Sequence, residues 1–146
     1  LWMDDRRCYW MNPNSSAVQG FLSSIAIELS DLGFDEVVFD DFYFPDSEAI
    51  AWNGSVSKED AVLNAAKSIT DNMQGVNIHV SFGSSAPAMA AYAYRLYIRT
   101  DDPTQVMTVM DSMQEVMPDI PAQVVFVTSS RDTRFAQCSV LLPLLA

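Results

Sequence analysis

The stretch that decides the fold is Gly33-Phe34-Asp35-Glu36-Val37-Val38-Phe39-Asp40-Asp41-Phe42-Tyr43-Phe44-Pro45. It opens on a glycine that stops a helix, continues as a run rich in β-branched and aromatic residues, and closes on paired carboxylates, aromatics and a proline. Such a run reads as a buried strand, expected over about residues 35–43, with acid groups at its C-terminal end. In α/β folds the loops that build the ligand crevice leave from the C-terminal ends of parallel strands. Asp40 and Asp41 are therefore candidate site residues. The simpler reading is an ordinary strand followed by two solvated aspartates.

Upstream, Ala17, Val18, Phe21, Leu22, Ile25, Ala26, Leu29 and Leu32 recur at helical spacing, with Gln19, Ser23, Glu28, Ser30 and Asp31 on the opposite face. A helix over about Ser15–Leu32 follows, closed by Gly33. Before it, Asn12-Pro13-Asn14-Ser15 forms a turn that offers N-caps, and residues 6–11 read as a short strand. Downstream, Asn53-Gly54 signals a turn in the loop that carries Trp52. Ser57 and Asp60 form a capping pair for a helix that reaches Gly75. A strand is expected over Val76–Phe82, a short helix over Ala86–Ala93, and a strand over Tyr94–Arg99. A helix then starts at Pro103 and carries Val106, Met107, Val109, Met110, Met113, Val116 and Met117. A loop bracketed by Pro118 and Pro121 leads to a buried strand over Gln123–Thr128. This β-α-β-α-β-(α)-β-α-β rhythm specifies an α/β fold, a parallel sheet with crossover helices.

Size and charge narrow the function. The 146 residues are 49% hydrophobic and 18% charged, enough to bury a core as a single α/β domain over 1–146. A complete (β/α)8 barrel needs at least about 200 residues, so the chain is expected either to be part of a longer protein or to form an open sheet or a partial barrel. The net charge of −11 repels phosphate backbones and anionic lipid surfaces, which excludes nucleic acid as a partner and disfavours membrane docking. No apolar run is long enough for a membrane span, and no signal peptide lies in this chain. The location stays open, with an extracytoplasmic one slightly favoured. Cys8 and Cys138 are either two free thiols or one long-range disulfide. His79 is the single histidine, flanked by Ile78 and Val80 in a strand, where a structural role is the simpler reading. That leaves almost no material for a zinc site or a histidine-based triad, and no metal or cofactor is expected. No Gly-rich phosphate loop occurs either.

The opening stretch, together with Asn12-Pro13 and the helix before Gly33, resembles the signature of a family of proposed glycoside hydrolases with a TIM-barrel-type domain. That signature runs approximately G-F-D-E-I-x-F-D-Y-V-R-F-P. Gly33, Phe34, Asp35, Glu36, Phe39, Asp40, Phe44 and Pro45 stand in matching places. Asp41 replaces the signature's tyrosine and Tyr43 its arginine. The match covers roughly residues 8–45, and beyond it only the strand–helix rhythm continues. The resemblance implies part of a TIM-barrel-like (β/α) domain, hydrolysis of glycosidic bonds, and a carbohydrate partner.

Glycosidases use two carboxyl groups that flank the scissile bond. Asp40, which matches the motif aspartate, is the candidate nucleophile or stabiliser. Its partner is sought among Asp41, Asp101 and Asp102, with a pKa raised by burial for the acid role. Asp40 and Asp41 would point to opposite faces of a strand, which argues against their forming the pair. Asp101 or Asp102 could equally cap the helix that Pro103 begins. Tyr43 and Trp52 would form a sugar-stacking platform, although Trp52 could instead cover the sheet rim. Arg131, with Arg134, would grip a hydroxyl-rich or anionic ligand, or pair with Asp132. The alternative function is a non-catalytic carbohydrate- or cell-wall-binding module on a partial barrel, completed by the remainder of the barrel or by a second copy of the chain.

Overall fold

The structure, a computed structural model, describes residues 2–143. The chain divides into two compact units, one formed by residues 1–37 and 42–78, the other by residues 38–41 and 79–146.

In the first unit, β1 (Trp2–Met3) and β2 (Tyr9–Trp10) pair antiparallel, with Trp2 opposite Trp10 and Met3 opposite Tyr9. The strand expected over residues 6–11 is therefore only two residues long. The reason is Asp4, whose carboxylate accepts the backbone N–H groups of Arg6 at 2.9 Å and Cys8 at 2.8 Å and folds the chain there. Arg7 takes a left-handed φ of 63° within that turn.

Helix α1 (Ser16–Asp31) begins at Ser15, whose hydroxyl accepts the Val18 N–H, and ends as Gly33 adopts a φ of 89°. Helix α2 (Lys58–Asp71) repeats this logic: Ser57 accepts from the Asp60 N–H at 2.9 Å, and Gly75 leaves with a φ of 83°. The two helices pack together, and Asn72 Nδ2 donates to Ser23 Oγ at 3.0 Å between them. Ala61, Val62, Ala65, Ala66 and Ile69 supply the buried stripe of α2, and its three alanines permit close approach.

Five strands form a parallel sheet in the order β3 (Glu36–Phe39), β4 (His79–Gly83), β5 (Leu96–Arg99), β6 (Val124–Val127) and β7 (Ser139–Leu141). Register runs Phe82 beside Leu96, Leu96 beside Val124, and Val125 beside Ser139. The order follows the sequence without reversal. A doubly wound sheet reverses at a switch point; an unbroken succession is the rule in (β/α) barrels. The expected α/β class is thus what the chain adopts, with five such strands among the described residues and no closed barrel.

The second unit is built on that sheet. All four residues of β6 are buried, and Phe82, Met89, Leu96, Val106, Met113, Phe126 and Phe135 fill the interior. Phe126 and Phe135 meet edge to face at 5.4 Å, and Phe39 stacks on Phe82 at 6.1 Å. Several boundaries differ from the sequence reading. β3 stops at Phe39 because Asp41 has a φ of 49° and takes the chain out of the extended region. The helix expected from Pro103 to Met117 is α3 over Gln105–Met113 only. A 3-10 turn occupies Pro87–Ala91, and the loop bracketed by prolines ends in a short α4 (Ile120–Gln123). β7 forms beyond the last element expected from the sequence.

Candidate active site

The C-terminal ends of β3, β4 and β5 meet around one carboxylate. Asp40 follows the last residue of β3, and its Oδ1 accepts the backbone N–H of Asp41 at 2.9 Å. Asp41 itself turns left-handed, with a φ of 49°. From β5, Arg99 Nη2 donates to Asp40 Oδ2 at 2.9 Å. Between them, Gly83 ends β4 with no side chain. A Cβ built there would lie 2.3 Å from Asp40 Oδ1 and 2.9 Å from Asp40 Cα, so the carboxylate occupies space that only glycine leaves open. Both charged side chains remain more than half exposed, at 62% for Arg99 and 55% for Asp40.

Asp101 and Asp102, just beyond β5, are tied to different neighbours. Oδ1 of Asp101 accepts the Ser129 N–H at 2.7 Å, the Thr128 hydroxyl at 2.9 Å and the Ser129 hydroxyl at 3.0 Å. These donors, the Ser129 N–H foremost, hold its carboxyl below the usual carboxylate range. It acts as a strut between the ends of β5 and β6. Asp102 accepts the hydroxyl and backbone N–H of Thr104 at 2.7 and 2.9 Å, and the Thr104 hydroxyl leads in lowering its pKa. It thus organises the turn before α3. The burial-raised pKa sought for an acid partner is the opposite of what Asp101 and Asp102 have, because donors that prefer the charged form outweigh desolvation at both.

Asp132 pairs with Arg134, whose Nε and Nη2 donate to its two oxygens at 2.8 and 2.7 Å. The fork holds the Asp132 carboxyl far below its ordinary range and raises the guanidinium in turn. Arg131, three residues before Arg134, is exposed and has no hydrogen bond or ion pair among the described residues.

In the first unit the two aromatic candidates belong to different groups. Trp52 lies 5.1 Å from Phe44 and 5.9 Å from Trp2, both edge-on, and its Nε1 donates to the Val56 carbonyl at 2.8 Å. A Cβ on Gly54 would lie 2.1 Å from the Trp52 ring, so the Asn53-Gly54 turn is cut to fit the indole. Tyr43 instead packs on Trp10, with ring centres 5.4 Å apart, and is 45% exposed.

His79 is stacked on Tyr94 at 3.8 Å with the rings 10° apart, and Arg95 lies over the same tyrosine. Cys8 and Cys138 are both free thiols, the second pushed up by burial. Among the described residues no group of three or more His, Cys, Asp or Glu side chains is arranged to hold a metal. No helix there is long and apolar enough to cross a membrane.

Sequence reasoning did not find Arg99 or Gly83. The only available signal was positional: each is the last residue of a strand, as Asp40 is the first beyond one, but which strand ends become neighbours depends on sheet order.

The unbroken strand succession is that of a partial (β/α)-barrel-like domain. The chain belongs to the family described as "putative glycosyl hydrolase domain", whose model matches residues 1–122. That span includes Asp40, Gly83, Arg99, Asp101 and Asp102, whereas β6 and Arg131 lie beyond it. No curated protein matches the chain.

Proposed function

We propose that this domain hydrolyses glycosidic bonds in a poly- or oligosaccharide, with Asp40 as the nucleophile or charge-stabilising carboxylate. The observation that carries this reading is the constellation at the end of β3: the aspartate of the family-like stretch is gripped by Arg99 and accommodated by Gly83. A carboxylate that must meet an oxocarbenium-like centre works best when its geometry is fixed in advance. Asp41 and Arg131 would contact substrate hydroxyls. Asp101, as an ionised strut, would keep the β5 and β6 loops in place around the ligand.

A second reading is favoured by the hydrogen bonds on Asp101 and Asp102. A proton donor to the leaving group needs a raised pKa, and both of these carboxyls are held down. A non-catalytic carbohydrate-binding domain needs no such donor. Under the hydrolase reading the second acid is sought at Asp41, whose left-handed backbone removes it from strand alternation.

Hydrolysis and binding measured side by side on a panel of polysaccharides and cell-wall glycans, for wild type and Asp40→Asn, separate these readings. Turnover by wild type that Asp40→Asn loses while still binding supports the hydrolase. Equal binding without cleavage by either supports the binding module.

A further inference from the structure

The N-terminal hairpin carries a side-chain circuit that the chemistry at Asp40 does not use. Asp4 is only 5% exposed, and besides its two backbone donors it accepts the Trp10 indole N–H at 3.0 Å. Its other interaction is with Arg6, whose Nη2 lies 3.4 Å from Asp4 Oδ2. The Asp4 carboxylate and, after it, the neighbouring Tyr43 side chain raise the pKa of the Arg6 guanidinium. Tyr43 closes the circuit by packing on Trp10 at an inclination of 58°. Trp10 is thereby fixed twice, by its bond to Asp4 and by the Tyr43 ring, and Tyr43 is held by the Trp10 ring. The circuit nonetheless faces solvent. Tyr43 is nearly half exposed, Trp10 is partly so, and 72% of the Arg6 side chain is accessible.

We propose that the Trp10–Tyr43 pair, with the Arg6 guanidinium beside it, is a shelf that binds an uncharged oligosaccharide. The class of ligand rests on the glycoside-hydrolase reading; the site itself rests on the circuit. The C–H face of a sugar ring is apolar and lies well on an aromatic face, while its hydroxyls accept from guanidinium N–H groups. A guanidinium has five N–H donors, so donors remain after Asp4 is served. Rings held in place before binding lose little rotamer freedom when the sugar arrives. Charge selects an uncharged glycan. Asp4 already neutralises Arg6, and a chain of net charge −11 repels a uronate. Trp52 is no part of this shelf, because its N–H is engaged by Val56 and its ring is wedged against Trp2 and Phe44.

The test is calorimetric titration of the full chain with hexasaccharides of glucan, mannan and N-acetylglucosamine, and with a galacturonate hexasaccharide as the charged probe. Tyr43→Ala, at an exposed ring, should weaken binding of an uncharged hexasaccharide about 10-fold or more. Tyr43→Phe, which keeps the ring, should stay within about 3-fold of wild type. Unchanged far-UV circular dichroism establishes that both variants fold. The shelf is overturned if Tyr43→Ala binds as wild type does, if the galacturonate is preferred, or if wild type binds no uncharged hexasaccharide. Asp40→Asn run in parallel keeps the two ideas apart. Cleavage lost in Asp40→Asn with binding indifferent to Tyr43→Ala removes the shelf and leaves the hydrolase. Binding lost in Tyr43→Ala where wild type cleaves nothing leaves the shelf and removes the hydrolase.

Discussion

Arg99, the last residue of β5, donates to Asp40 across the end of the intervening strand β4, with Nη2 2.9 Å from Oδ2. The pair skips one strand, and it can do so because that strand ends in Gly83. Two residues 59 positions apart in sequence thus fix the orientation of the carboxylate on which the proposed chemistry depends.

Gly83 is the place where this arrangement is most easily broken. In Gly83→Ala the new methyl would meet both the carboxylate and the backbone of Asp40, and backbone yields less readily than a side-chain tip. The variant should lose about 1–3 kcal/mol of stability in urea unfolding, with hydrolysis reduced more than glycan binding. A variant as stable as wild type would mean that the strand ends shift freely.

Replacing Arg99 tests orientation rather than folding. The pair is exposed, so Arg99→Ala should change stability by no more than about 1 kcal/mol. Loss of the guanidinium frees the carboxylate to rotate, and turnover should fall by up to about 100-fold with KM little changed. Arg99→Lys keeps the charge without the planar fork and should recover part of that loss. Unaltered turnover in Arg99→Ala would show the contact to be ornamental.

Acid should unfold the protein through its hydrogen-bonded aspartates. Asp4, held low chiefly by the Trp10 indole N–H, and Asp101, held low chiefly by the Ser129 N–H, have native pKa values below the ordinary 3.8. A depressed native pKa contributes stability that is present above the unfolded-state value and is lost as pH falls through the native one. Melting temperature should therefore be flat near neutrality and decline below about pH 4. Asp4→Asn should start from a lower melting temperature, because two backbone N–H groups and an indole then face a weaker acceptor. It should also decline less steeply in acid. Parallel profiles for the two proteins would exclude Asp4 as a contributor.

Gly54→Ala should dislodge Trp52, since a methyl at that turn would overlap the indole. The expected result is a red-shifted tryptophan emission and a loss of about 1–3 kcal/mol. Unchanged emission would mean that the ring has another place to go.

Much of this fold was legible in the sequence, and what was legible is local. Ser15 and Ser57 announce helices because a hydroxyl can satisfy the first free N–H groups, and Gly33 and Gly75 end them because a left-handed residue is needed there. The β3 stretch declared its apolar character, but its end did not. Nothing in Asp40-Asp41 shows that the second aspartate turns left-handed, so the sequence puts the end of the strand four residues too late. β7 carries three residues and β1 two, too few for any periodicity to show. The site divides along the same line. Asp40 stood out through the stretch that contains it, whereas Arg99 and Gly83 acquire meaning only once β4 lies between β3 and β5. Trp10 was passed over because its partner Tyr43 lies 33 positions away, beyond a whole helix.

β7 leaves one side of the sheet with its backbone polar groups unmatched among the described residues, and all three of its side chains are exposed. Ser139, Val140 and Leu141 carry no charge, proline or bulge of the kind that normally blunts such a border. The rest of the molecule is strongly anionic, so this short neutral border is where two molecules could approach without electrostatic opposition. Among the described residues this unguarded border lies far along the chain from the residues proposed to touch a sugar. A single lysine at Val140 would act there as a gatekeeper.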